Sequence, residues 1–187
     1  MNKIEATALL SIIKTAYPNF YKGAEEIDNA INLWSMMFAD DSAKVVTEAV
    51  KALMCVLKFP PTIADVKTKI YDITHPEQMT EMEAWVIVKK AVENYSIYET
   101  YENNMKMFNS LPETIKNTIG NISQLRVWGQ MDYESFNTVV QSNFMRSFKM
   151  KQQQEIEREM LPESTKNLIQ QLSEGFSMGR LTDGRNK

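Results

Sequence analysis

Few side chains in this sequence could carry out catalysis or bind a metal. The one histidine, His75, precedes Pro76 and has no cysteine beside it, so the spacing offers no zinc site. The one cysteine, Cys55, lies within the apolar run 53–57 and is predicted to be a small buried packing residue and not a nucleophile. Neither residue predicts a reactive centre.

Carboxylates and glycines add no catalytic pattern. The acidic pairs Glu25-Glu26 and Asp40-Asp41 are typical of helix starts and solvated surface. The glycines are scattered and none precedes a Lys-Ser or Lys-Thr pair, so the sequence has no phosphate-binding loop and no ATPase machinery. We therefore expect no enzyme activity, no metal and no cofactor.

Composition favours a helical protein with a real core. The 187 residues are 43% hydrophobic, with only six Gly and six Pro, and Met, Leu, Glu, Lys and Gln are plentiful. The net charge is −3, divided as −5 for residues 1–145 and +2 for residues 146–187. No apolar run is long enough to span a membrane, and no signal sequence follows Met1, so we expect a cytosolic protein that does not contact membranes.

Helix signals divide residues 1–74 into a small helical bundle. Asn2-x-x-Glu5 predicts a capping box, and further helices are predicted for about 24–38, from Ser42 to about 58, and from 63 to 74. Pro60-Pro61 ends the third helix, and Thr62 with Asp65 begins the fourth. The fold class predicted is all-α.

A second helical region follows a hinge at residues 75–79. Thr80-x-x-Glu83 predicts another capping box, and Gly120 is predicted to stop a short helix. A long amphipathic helix begins after Asp132, and a last helix is predicted to end at residues 173–175. We assign 80–178 to this partner-binding region and 179–187 to a mobile tail.

The segment 144–149 combines aromatic and cationic side chains, as single-stranded nucleic-acid sites do. Packing of Phe144 and Phe148 inside the helical core explains the same spacing and is favoured. Trp34, Trp85 and Trp128 are ambiguous in a similar way, since each fits a packing stripe first and a partner pocket second.

Several motifs resemble a known family. Residues 4–73 resemble the N-terminal helical domain of the phage replicative-helicase loader and inhibitor family of Gram-positive hosts, and residues 123–128 and 139–148 look like the C-terminal part of longer phage relatives. The motifs that carry the resemblance are Ala16-Tyr17-Pro18-Asn19-Phe20-Tyr21, Leu33-Trp34-Ser35-Met36-Met37-Phe38, Lys58-Phe59-Pro60-Pro61-Thr62-Ile63, Ser123-Gln124-Leu125-Arg126-Val127-Trp128 and Val139-Val140-Gln141-Ser142-Asn143-Phe144-Met145-Arg146-Ser147-Phe148.

The resemblance implies a non-enzymatic adaptor that binds the hexameric replicative helicase in the bacterial host cytosol. Such a protein holds the helicase inactive, delivers it to an origin-binding protein and releases it on single-stranded DNA, which the adaptor itself contacts weakly or not at all. It also implies a compact N-terminal bundle and a C-terminal region that folds against the helicase.

We place the helicase-binding surface on the second half of the chain. Aromatic and arginine side chains dominate many interfaces, which selects Arg126, Trp128, Phe144, Arg146 and Phe148 as partner-binding residues. Two alternatives stay open: a DNA-binding replisome organiser, and a pure inhibitor of the host helicase or its loader.

Overall fold

Helices make up the regular secondary structure in the described part of this chain. A computed structural model describes residues 1–20 and 23–183, with side chains described as far as residue 175. In this part of the chain there are ten helices and no strand, which confirms the all-α prediction. They are α1 (Lys3–Ala16), α2 (Ala24–Met37), α3 (Ala43–Met54), α4 (Ile63–Thr74), α5 (Glu81–Asn94), α6 (Tyr101–Asn109), α7 (Glu113–Ile119), α8 (Ser123–Gly129), α9 (Tyr133–Ser135, a π-helical turn Phe136–Val140, and Gln141–Glu159) and α10 (Glu163–Asp183).

The three predicted capping boxes are present at the starts of α1, α4 and α5. In each box the N-cap side chain accepts the backbone N–H three positions later, and that residue's carboxylate accepts the N-cap N–H. The pairs are Asn2 with Glu5, Thr62 with Asp65, and Thr80 with Glu83. Short-range sequence signals therefore predicted these three helix starts correctly.

Two compact units are distinguished by their internal contacts. The first comprises Met1–Pro76 together with the chain from Arg158 onward, and the second comprises Glu77–Glu157. The division near residue 76 falls inside the predicted hinge, but the predicted second region ran on to residue 178. Whether each unit is an independent domain stays a prediction.

The core of the first unit is formed by the inner faces of α1 to α4. Buried apolar side chains from all four helices pack together there, including Ile13, Trp34, Val50 and Val66. Burying such side chains contributes about 1.5–3 kcal/mol each. The predicted four-helix bundle thus has the hydrophobic centre that its spacing indicated.

Helix α3 ends earlier than predicted, and this changes the position of Cys55. The helix stops at Met54, and the N–H groups of Val56 and Leu57 both bond to the carbonyl of Leu53 in a closing turn. The turn points Cys55 and Val56 outward, so both are exposed. The prediction that Cys55 is buried is wrong. It relied on helical periodicity, and the helix ends at Met54, one residue before Cys55.

A largely buried ion pair joins the start of α3 to α4. Lys67 Nζ donates to Asp41 Oδ2 at 2.7 Å, and the two side chains are only 10% and 20% exposed. The same ammonium lies 5.0 Å from the centroid of the Phe38 ring, in a cation–π arrangement. Asp41 is therefore a structural residue, where the sequence predicted a solvated helix-start charge.

The chain from Arg158 onward contacts other residues of the first unit. The backbone N–H of Glu163 donates to Asp40 Oδ2 at 2.9 Å, which gives α10 a capping carboxylate from far away in the sequence. His75 Nε2 lies 3.7 Å from Glu159 Oε2. These contacts fix the beginning of α10.

Helix α10 continues past the predicted stop at residues 173–175. Gly175 lies inside the helix, and the helical backbone extends to Asp183. A glycine in a helix interior costs only about 1 kcal/mol, and no proline follows it, so it does not end the helix. Of the predicted mobile tail, residues 179–183 are helical and residues 184–187 lie outside the described residues.

The second unit has a core rich in aromatic rings. Helices α5 and α9 contribute most of it, and α6, α7 and α8 cover its sides. Gly120 adopts φ +88° after α7, a backbone conformation that favours glycine, as its predicted role as a helix stop requires. The buried seam of α9 consists of Val140, Phe144 and Phe148.

A π-helical turn interrupts α9 at Phe136–Val140. A π turn holds more residues than an α turn, so the four-residue step from Phe136 to Val140 falls short of a full turn, whereas the same step in an α-helix passes it by about 40°. The step keeps Phe136 packed against the same core as Phe144. π-helical turns occur frequently at functional sites.

None of the helices described here is long and apolar enough to cross a membrane.

Candidate functional site

A short non-helical segment between α5 and α6 carries exposed aromatic side chains. Residues 95–100 leave the helical path, and Tyr98 at the turn is 94% exposed. The buried Asn104 holds this segment: its Nδ2 donates to the Ser96 carbonyl at 2.8 Å and its Oδ1 accepts the Ser96 N–H at 3.3 Å. Ser96 Oγ in turn accepts the Tyr98 N–H at 3.2 Å.

This segment forms one wall of an open cavity of about 610 Å³, which we call the aromatic cavity. Its other walls come from α5, from the end of α8 and from the start of α9. Its size lies within the range of small-molecule and peptide-anchor pockets. The aromatic side chains that line it are Tyr95, Tyr98, Trp128, Tyr133 and Phe136.

Two cationic side chains and one carboxylate lie among these rings. Lys89 and Arg126 line the cavity, and so does Glu93, one helical turn after Lys89. Within the described residues no carboxylate oxygen lies within 4.0 Å of the lysine ammonium or of the guanidinium. The cavity therefore presents two cations that no ion pair within the described residues neutralises.

The floor of the cavity is supported by a chain of aromatic contacts. The Trp128 ring packs edge-on against Phe144 at 6.4 Å between centroids, and Phe144 stacks on Phe148 at 5.9 Å. Trp85 contacts both Phe136, at 4.9 Å, and Phe144, at 5.7 Å. Two of the lining rings, Trp128 and Phe136, are thus held by the buried rings of Phe144 and Trp85.

The structure divides the five predicted partner-binding residues into three groups. Arg126 and Trp128 meet in the aromatic cavity, Phe144 and Phe148 are buried behind them, and Arg146 is exposed on α9 outside the cavity lining. The packing interpretation of the two phenylalanines, which the sequence favoured, agrees with their burial. Partner binding by the five residues stays a prediction.

Sequence reasoning did not select Lys89, Tyr98 or Tyr133 as site residues. A signal was present, because tyrosines at 95, 98 and 101 form a run with no consistent helical register. Residues that fit no buried stripe and yet are aromatic are candidates for an exposed site. Tyr133 is 80% exposed at the start of α9, where the sequence predicted a long amphipathic helix and no site.

A second groove, of about 420 Å³, lies in the first unit where two of the resemblance motifs meet. Residues 16–20 form one side and residues 58–60 form the other. The Tyr17 hydroxyl donates to the Leu57 carbonyl at 3.1 Å and so ties the two segments together. Phe59 is 78% exposed at its edge.

No group of three or more His, Cys, Asp or Glu side chains within the described ranges could hold a metal ion. The His75 ring stacks on Tyr71 at 4.3 Å between centroids, and its Nδ1 lies 3.2 Å from the Tyr71 carbonyl. These contacts are typical of a helix-end histidine.

Comparison with known proteins relates part of the first unit to a family. No curated protein and no solved structure matches the chain. A family model that describes the N-terminal domain of the phage SPP1 helicase loader matches residues 1–67, about a third of the 187 residues. This match includes α1 to α3, both sides of the Tyr17–Leu57 groove and the capping box of α4, and it relates residues 1–67 to the phage helicase loader family.

Proposed function

We propose that this protein is a phage DNA-replication adaptor that binds the hexameric replicative helicase, inhibits it and helps to load it at the origin. The observation that carries the proposal is the match of residues 1–67 to the N-terminal domain family. An all-helical chain with exposed aromatic and arginine side chains suits a protein-binding role. The site of action is the cytosol of the bacterial host.

The physical basis of inhibition is differential binding. An adaptor shifts the helicase toward an inactive conformation only if it binds that conformation more tightly than the active one. No catalytic side chain is needed for this effect. Release on single-stranded DNA follows when the DNA-bound conformation has the weaker affinity for the adaptor.

The helicase surface is assigned to the second unit, with Arg126 and Arg146 as its exposed cations and Trp128 as its half-buried aromatic anchor. Phe144 and Phe148 support this surface from inside the core. Removing an interface arginine typically costs about 2 kcal/mol or more when it is a dominant contact, roughly thirtyfold in affinity.

The test is co-elution of the full chain with a hexameric replicative helicase on a sizing column. We expect the unaltered chain to co-elute, and an Arg126→Glu, Arg146→Glu double variant to elute alone with an unchanged far-UV circular dichroism spectrum. Lys106→Glu, an exposed charge reversal on α6, is the control and is expected to co-elute. If the double variant still binds, the helicase surface is not the one assigned here. If the unaltered chain does not bind, the proposed adaptor function is wrong.

Loading is separated from inhibition by an unwinding assay on single-stranded DNA coated with a single-strand binding protein. A loader raises unwinding above that of the helicase alone at some adaptor concentration. A pure inhibitor lowers it at every concentration, and that result would remove the loading part of the proposal.

A further inference from the structure

We propose that the aromatic cavity of the second unit is a docking site for an acidic peptide segment that carries a large apolar side chain, supplied by a partner protein. The inference rests on the cavity and not on the proposed helicase function. It names a ligand class for a site that lies outside the matched residues 1–67.

The shape and lining of the cavity suit one anchoring side chain. A volume of about 610 Å³ bordered by Tyr95, Trp128 and Phe136 accommodates an aromatic or branched apolar group with part of its backbone. Ser96 and Asn137 lie on the same lining, but Ser96 already bonds to Asn104 and Tyr98 and Asn137 Nδ2 donates to the Tyr133 carbonyl. The Ser96 hydroxyl proton and Asn137 Oδ1 are the groups left for a peptide. Tyr98 and Tyr133 line the same cavity and are strongly exposed, so both rings are accessible to a bound segment.

Charge selects an acidic segment over a neutral or basic one. Lys89 and Arg126 contribute two positive charges that no carboxylate of the described chain neutralises, whereas Glu93 contributes one negative charge to the lining. A carboxylate that reaches either cation gains a charge-assisted hydrogen bond without breaking an ion pair of the described chain. A basic segment would meet both cations at close range.

A nucleic-acid strand satisfies these features less well. Binding to a polyanion requires a track of cations along several phosphates, and the cavity offers two beside a carboxylate. The second unit also contains more acidic than basic residues, so its overall field opposes a polyanion. A short segment with one or two carboxylates and an apolar anchor needs only the local charges.

The experiment measures fluorescence anisotropy of labelled short peptides titrated with the full chain. The probe has Asp and Glu on both sides of a Trp-Leu pair. One comparison peptide replaces every acidic residue with Lys, and another keeps the acids and replaces Trp-Leu with Gly-Ser. We expect saturable binding of the first peptide only, weakened by rising salt because the contacts are partly ionic.

Variants test whether binding occurs in the aromatic cavity. Arg126→Glu and Lys89→Glu are each expected to weaken the acidic peptide about tenfold or more. The neighbouring Lys90→Glu is expected to bind like the unaltered chain, because Lys90 is exposed and does not line the cavity. Tyr98→Ala tests the aromatic contact with the peptide. Because the Tyr98 side chain is 94% exposed, weaker peptide binding by this variant would not be explained by misfolding.

Three results would overturn the inference. The first is no binding of the acidic peptide, and the second is binding that Arg126→Glu and Lys89→Glu leave unchanged. The third is tighter binding of an oligo(dT) strand than of the peptide, together with weaker oligo(dT) binding by the Arg126→Glu variant. That result would assign the cavity to single-stranded nucleic acid. Because no helicase is present, failure here is distinguishable from failure of the co-elution experiment.

Discussion

The carboxamide of Asn104 bonds to both backbone groups of Ser96, donating to its carbonyl at 2.8 Å and accepting its N–H at 3.3 Å. One buried side chain thus replaces the helical partners that Ser96 lacks after α5 ends at Asn94. Its effect is to hold the turn that carries Tyr98 over the aromatic cavity. The shape of the candidate site therefore depends on a residue that does not line it.

Replacing Asn104 with alanine should destabilise the second unit by about 1–3 kcal/mol, because two backbone groups lose their partners in a part-buried place. Urea unfolding measures the loss, and amide hydrogen exchange at Ser96 reports the local loosening. The neighbouring Asn103→Ala removes an exposed bond to Glu99 and should change stability by less than about 0.5 kcal/mol. Equal effects of the two variants would contradict the role of Asn104.

Truncating Lys67 to alanine should cost about 1.5–3 kcal/mol, since it removes a charged hydrogen bond and leaves the Asp41 carboxylate largely buried without its partner. Chemical denaturation of the full chain measures this cost. Lys51→Ala breaks the exposed pair with Glu48 and should cost no more than about 0.5 kcal/mol. A Lys67→Met, Asp41→Leu double variant should recover part of the loss, because neither charge is then buried alone.

Phe148→Ala should destabilise the second unit by about 3–5 kcal/mol, because the ring is 1% exposed and stacks on Phe144. Tyr98→Ala, at an exposed ring, should change stability by less than about 0.5 kcal/mol. Thermal unfolding followed by circular dichroism compares the two. Partner-binding experiments should therefore not use Phe148 variants, because a loss of binding in such a variant would reflect unfolding of the second unit.

The start of α4 should make stability depend on pH in the acid range. The hydroxyl and the backbone N–H of Thr62 donate to Asp65 and lower the pKa of its carboxyl below the ordinary 3.8. A depressed folded-state pKa adds stability that is present above pH 3.8 and is lost as the pH falls through the folded pKa.

Thr62→Ala should accordingly cost about 1 kcal/mol at neutral pH and less as the solution is acidified below that pKa. Carboxyl NMR titration should show the pKa of Asp65 returning toward 3.8 in this variant. Thr62→Ser keeps the hydroxyl and should keep the lowered pKa. An unchanged Asp65 titration in Thr62→Ala would disprove the assigned cause.

The exposed Cys55 should react with a thiol reagent in the native protein. Its Sγ donates to the Lys51 carbonyl at 3.3 Å at the exposed end of α3. A maleimide or disulfide reagent should modify it without denaturant, at a rate close to that in urea. Protection that disappears only on unfolding would show that the thiol is buried after all.

Local signals in the sequence predicted the helix starts well. Each capping box joins residues three positions apart, so its geometry is decided by near neighbours in the sequence. The Pro60-Pro61 pair predicted the end of α3 less well, because that helix already stops at Met54. The buried seam of Phe144 and Phe148 followed from spacing in the same way.

Contacts between distant residues were not predictable by this route. The bond from Glu163 to Asp40 and the pair of Lys67 with Asp41 depend on how helices pack, and no periodicity encodes them. The aromatic cavity likewise requires α5, α8 and α9 to converge. Sequence could select Arg126 and Trp128 by type, but only the fold brings them together with Lys89 and Tyr98.

The first unit is interrupted in the sequence, since the stretch from Glu77 to Glu157 separates its opening helices from the segment that begins at Arg158. Ribosomes add about 5–20 residues per second, so roughly 4–16 s pass during translation between the emergence of these two parts. For at least that interval Asp40 has no α10 to cap. During synthesis the chain therefore passes through a stage in which α1 to α4 have been made and α10 has not.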